Sequence, residues 1–192
     1  MKNHLNSIKE FAQNSPLITD NVIENIMAAH DDRGLLKHFL RLGFFRKVIK
    51  EKDIQEFFRH IGWKYKIRSM PPMDQFDLYL WSIRKTGEVH TSVQCNSSTR
   101  TFWATKLFIE ERHRRYRKSK GITSFTGSPE HIEMLSLCIS TIAVVPPVEL
   151  YRIYQQKGGK PTVEDIVQEL NVVEPIAQLA LDLFDHYYPK IK

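Results

Sequence analysis

The chain has 192 residues, with 28 Lys plus Arg against 22 Asp plus Glu, a formal charge of +6 and 42% apolar residues. That composition excludes a disordered or fibrous chain and supports one domain, with room for a small appended module. Cys95 and Cys138 alone make no disulfide framework. No apolar run reaches the roughly 18 residues that span a bilayer, and Met1–Asn6 carries no apolar signal core. A cytoplasmic protein with no membrane partner is expected.

In chain order, Leu5, Ile8 and Phe11 form a helical stripe over 5–14, and Val22, Ile23, Ile26 and Met27 form another over 20–29. Asp31 and Asp32 open a third helix that Gly43 interrupts. A fourth is expected over about 51–61, with Ile54, Phe57, Phe58 and Ile61 facing a core. The period then shortens. Lys64–Arg68 alternates, Pro71 and Pro72 break the pattern, and 76–83 is rich in aromatic and β-branched residues. Lys85-Thr86-Gly87-Glu88 reads as a turn into a second run over 89–95. The expected sheet is small and mostly antiparallel, a hairpin with Lys64–Arg68 as a third strand.

Ser97 or Ser98 is expected to cap a long helix to about Lys118, stopped by Gly121. An apolar helix follows over 129–145 and is broken by Pro146-Pro147. A short helix over 148–156 and a helix pair over 162–188 end the chain. The fold class is therefore α+β. Its divisions are a helical N-terminal segment over 1–50, an α+β core over 51–147 and a C-terminal helical module over 148–192.

On a wheel of about 100° per residue, Ile109, Phe102, His113, Lys106, Glu110, Trp103 and Leu107 share an arc of roughly 160°. Glu110 and His113 stand on that mostly apolar arc, three residues apart. They need a metal, each other or a polar neighbour as partner, and Lys106 is one such neighbour. A solvated stripe edge is the alternative. Glu111, four before Arg115, reads as a surface residue.

These residues resemble the ImmA/IrrE family of zinc metallopeptidase-like proteins of bacteria and mobile elements. The resemblance covers about residues 50–185. Ile109-Glu110-Glu111-Arg112-His113 stands for the family's His-Glu-x-x-His, in which two histidines bind zinc and the Glu is the general base. Glu133 through Pro146 is similar to its next helix, which opens on an acidic third ligand. The resemblance implies His113 and Glu133 as metal candidates and Glu110 as a vestigial catalytic residue. Ile109 replaces the first histidine, and His90 or His131 could substitute for it. No cofactor is expected, although zinc stays open. The implied function is a catalytically degenerate regulator of a mobile element that binds a protein partner, such as a repressor or control factor. An active zinc peptidase with a replaced ligand is the alternative.

Arg112, Arg114, Arg115, Arg117, Lys118 and Lys120 form the densest charge run. It reads as a solvated helix end or as a surface for nucleic acid or an acidic partner. A nucleic-acid-binding or nuclease protein is a third reading. In that reading Asp77 and Gln94-Cys95-Asn96 would lie on neighbouring strands. The final helix pair resembles a helix-turn-helix, but its second helix offers Glu174, Gln178, Asp182 and Asp185 where a DNA reader needs Arg or Lys.

Overall fold

The computed structural model describes residues 47–69, 81–83, 87–119 and 129–191, with side chains over 47–69, 87–111 and 136–183. The helices expected before residue 47, Asp77, Lys120 and Gly121 lie outside them. The order is α1 (Glu51–His60), β1 (Lys64–Arg68), β2 (Trp81–Ile83), β3 (Glu88–Ser92), α2 (Ser97–Ser119), α3 (Pro129–Val144), α4 (Pro147–Lys157), α5 (Val163–Leu170) and α6 (Glu174–Ile191). The class is α+β.

Helix α1 follows its apolar spacing. Ile54, Phe57 and Phe58 are buried and Ile61 packs at their edge. Its end is a Schellman turn: Trp63 N–H donates to Phe58 O at 2.7 Å and Gly62 N–H to Arg59 O at 3.2 Å. Gly62 takes φ +74° to close it. The Trp63 and Phe58 rings stack at 5.7 Å, the apolar contact that accompanies this turn.

The sheet is mixed, which corrects the mostly antiparallel expectation. The strand order is β1-β3-β2. β2 and β3 form the expected antiparallel hairpin, with Trp81 opposite His90. β1 runs parallel to β3, with Lys64 opposite Glu88 and Arg68 opposite Ser92. Alternation reveals a strand but not its direction. Only the turn at Gly87 signalled direction, and it fixed β2 against β3 alone.

Phe108 is the centre of an aromatic cluster. Its ring meets Phe57 and Trp63 edge-on, each at 5.1 Å, and Phe58 at 5.7 Å. Val89, Ile139 and Ala143 complete this core between α1, the sheet, α2 and α3. A second apolar cluster joins Phe102 and α3 to α4, α5 and α6 through Ile142, Leu150, Ile153, Ile166, Ile176 and Leu183. It runs across the 50° bend at Pro146-Pro147. No single helix among the described residues is long and apolar enough to cross a membrane.

The arc that the wheel marks is buried at Phe102, which is 2% exposed, but the deepest face of α2 lies beside it. Thr101, Ala104, Thr105 and Phe108 are at most 1% exposed and span an arc of roughly 100°. Trp103, Leu107 and Ile109 are only partly buried. The threonines enter the core because Thr101 donates to Ser97 O at 2.9 Å and Thr105 to Thr101 O at 2.8 Å. Ser140 and Thr141 do the same on α3. A hydroxyl satisfied by its own helix presents a small surface against which a second helix packs closely.

Candidate functional site

Two polar clusters tie the helices to the sheet and to each other. The first stands at the start of α2. Asn96 caps this helix, accepting from Thr99 N–H at 2.8 Å, so the expected Ser97 or Ser98 cap is displaced by one or two residues. Asn96 Nδ2 also donates to Asn171 O at 3.1 Å. Asn171 takes φ 50° in the turn between α5 and α6, so this bond links that turn to the core. β3 ends at Ser92, so Gln94-Cys95-Asn96 forms a turn and helix cap rather than the strand expected of a nuclease core.

Arg100, one turn into α2, clamps Glu51 on α1 with two bonds of 2.6 Å and donates to Cys95 O. Tyr65 donates to the same carboxylate at 2.7 Å and accepts from Thr91 at 3.2 Å. Burial alone would raise the Glu51 carboxyl, but the Arg100 and Tyr65 hydrogen bonds hold it below its ordinary value. Burial raises the Tyr65 phenol. This network fastens α1, β1, β3 and α2 together. It escaped the sequence reading because its members are far apart in the chain.

The second cluster contains a candidate residue. Lys106 Nζ forms an ion pair with Glu110 Oε1, and Ser136 Oγ on α3 donates to the same oxygen at 2.9 Å. Lys106 Nζ also lies 5.6 Å from the Trp103 ring centroid. Glu110 is thus paired rather than free, with 29% of its side chain still exposed. Lys106 proves to be its partner, as one option held, while Ser136 was hidden in an apolar stretch. Ile109 is partly buried against the aromatic core.

Glu111 is 8% exposed, which corrects its reading as a surface residue. His90 is 3% exposed, and its Nε2 lies 3.2 Å from Glu88 Oε2. Glu88 also binds Lys66 at 2.9 Å and Lys64 at 3.5 Å. Hydrogen bonds from Lys66 and His90 lower its carboxyl from 4.5 to about 2. Burial pushes the Cys138 thiol up to about 12.

The backbones of His113, Arg112, Arg114, Arg115, Arg117 and Lys118 lie on the last turns of α2, and those of His131 and Glu133 on α3. Their side chains are outside the described residues. Among the described side chains, no three of His, Cys, Asp and Glu converge on a point where a metal could sit. Lys106 has no lone pair while protonated and Ile109 has none at all, so among the described side chains around Glu110 that carboxylate is the ordinary zinc ligand. No known protein family, curated protein or solved structure matches the chain.

Proposed function

We propose that the chain is a degenerate ImmA/IrrE-like metallopeptidase scaffold that works as a cytoplasmic regulator by binding another protein. The observation that carries this reading is the Lys106–Glu110–Ser136 cluster. Lys106 and Glu110 stand four apart on one helix, and Ser136 reaches their shared point from the next helix. In the register that the resemblance gives, Ile109 stands for the first zinc-binding histidine and Glu110 for the general base. Here Lys106 and Ser136 hold that carboxylate.

The cluster supports binding over catalysis. A general base needs an oxygen open to a water molecule. Glu110 Oε1 is taken by an ammonium and a hydroxyl, a pairing that opposes proton abstraction by that oxygen. Elemental analysis of the chain purified without chelator tests the reading. The expected zinc content is far below one per chain. One tightly held zinc per chain would restore the peptidase reading.

A further inference from the structure

Among the described residues, β1 occupies one edge of the sheet. Lys64 N–H donates to Gly87 O at 2.6 Å, and Arg68 O accepts from Val93 N–H at 3.0 Å. In a parallel pair, one residue directs both its N–H and C=O to the same neighbour and the next directs both away. Lys64, Lys66 and Arg68 therefore face β3, and Tyr65 and Ile67 present their backbone groups outward. Ile67 is 41% exposed and Val93, just past the end of β3, is 53% exposed. Lys64 is 71% exposed, Lys66 37%, and Arg68 is also exposed. Among these cations, Lys64 and Lys66 share the single carboxylate of Glu88.

We propose that this edge docks an acidic, extended segment of a partner protein, which adds as a further strand beside β1. Main-chain bonds to Tyr65 and Ile67 would supply its affinity. Paired residues on adjacent strands share a face. The docked segment therefore alternates acidic residues over Lys64, Lys66 and Arg68 with apolar residues over Tyr65 and Ile67. Charge also decides against a second copy of the chain: two β1 edges would set Lys and Arg against Lys and Arg, which repel. This inference stands whatever the origin of the Lys106–Glu110 cluster.

The test titrates the full chain with two nine-residue peptides, one alternating Glu with Val and the other Lys with Val. The acidic peptide is expected to bind at least about tenfold more tightly, and to weaken as salt shortens electrostatic reach. Hydrogen exchange should slow at the Tyr65 and Ile67 amides. Ile67→Pro removes an outward N–H and leaves the β3 ladder intact, so it should reduce binding at least about tenfold. Should that variant fail to fold, an acidic peptide N-methylated on its pairing edge serves on the wild-type chain and should lose binding equally. Equal binding of the two peptides, no binding of the acidic one, or binding indifferent to both edge modifications would overturn the proposal.

Discussion

Ser136 on α3 donates its hydroxyl to Glu110 on α2 at 2.9 Å, and the same carboxylate oxygen pairs with Lys106 one turn earlier. Ser136 is fully buried and Lys106 is 9% exposed. Glu110 keeps 29% of its side chain exposed, so the charge pair is partly enclosed between two helices.

Glu110→Ala would leave the Lys106 ammonium enclosed without its counter-ion. Breaking such a partly buried pair from one side costs about 1–2 kcal/mol. Replacing both partners, Lys106→Met with Glu110→Leu, removes both desolvation penalties and should fall within about 1 kcal/mol of wild type. Urea unfolding at constant m-value reads both. Equal loss in the single and double variants would show that packing, not charge, holds the site.

Phe108 touches three aromatic rings and is 1% exposed. Phe108→Ala should destabilise by about 3–5 kcal/mol through the cavity it leaves. Trp63 fluorescence during denaturation offers a local reading, since the two rings are in contact.

The two turn glycines separate backbone strain from steric conflict. A Cβ at Gly62 meets nothing within 4 Å, so Gly62→Ala bears only its positive φ, about 1 kcal/mol. A Cβ at Gly87, where φ is +68°, would stand 3.1 Å from the Trp63 ring. Gly87→Ala should therefore cost more, about 2 kcal/mol, and shift the Trp63 emission. Matched losses would remove the contact from the explanation.

Glu88 has a folded-state pKa of about 2, below its ordinary 4.5, through its bonds to Lys66 and His90. A depressed carboxyl stabilises the fold above its unfolded pKa and loses that contribution as pH falls through the folded value. Stability should thus fall from about pH 4.5 toward pH 2. Glu51, lowered by its Arg100 and Tyr65 bonds, acts in the same direction. Glu88→Gln should flatten, but not abolish, the acid slope in urea midpoints measured across this window.

The basic run should bind nucleic acid weakly, without sequence preference and only below physiological salt. Its cations crowd a helix end with Tyr116 as the one interleaved aromatic, and α5 and α6 expose Glu164, Glu169 and Glu174. Filter binding of duplex DNA from low salt to about 0.15 M reads this directly. Selective binding that survives the higher salt would favour a nucleic-acid function.

Helix positions were legible where apolar spacing or a strong breaker marked them, as with Ile54, Phe57 and Phe58, or Pro146 and Pro147. The hairpin was legible from Gly87. The direction of β1 was not, because Lys-Tyr-Lys-Ile-Arg alternates identically in either direction. Phe102 on α2 was legible as a core residue, but the deeper face was not, because Thr101 and Thr105 are polar residues whose hydroxyls are satisfied by their own helix. For the same reason Ser136 passed as filler in an apolar helix. The partnership of Glu110 with Lys106 was visible at i, i+4 spacing, but its enclosure depended on α3.

The most direct measurement is the zinc-to-protein ratio of the wild-type chain beside the variant Ile109→His, with circular dichroism confirming that both are folded. If the chain is a degenerate metallopeptidase scaffold, wild type should hold far less than one zinc per chain, and restoring the histidine should raise zinc binding. A wild type carrying one tightly held zinc, or a folded variant that binds no more zinc than wild type, would contradict the reading.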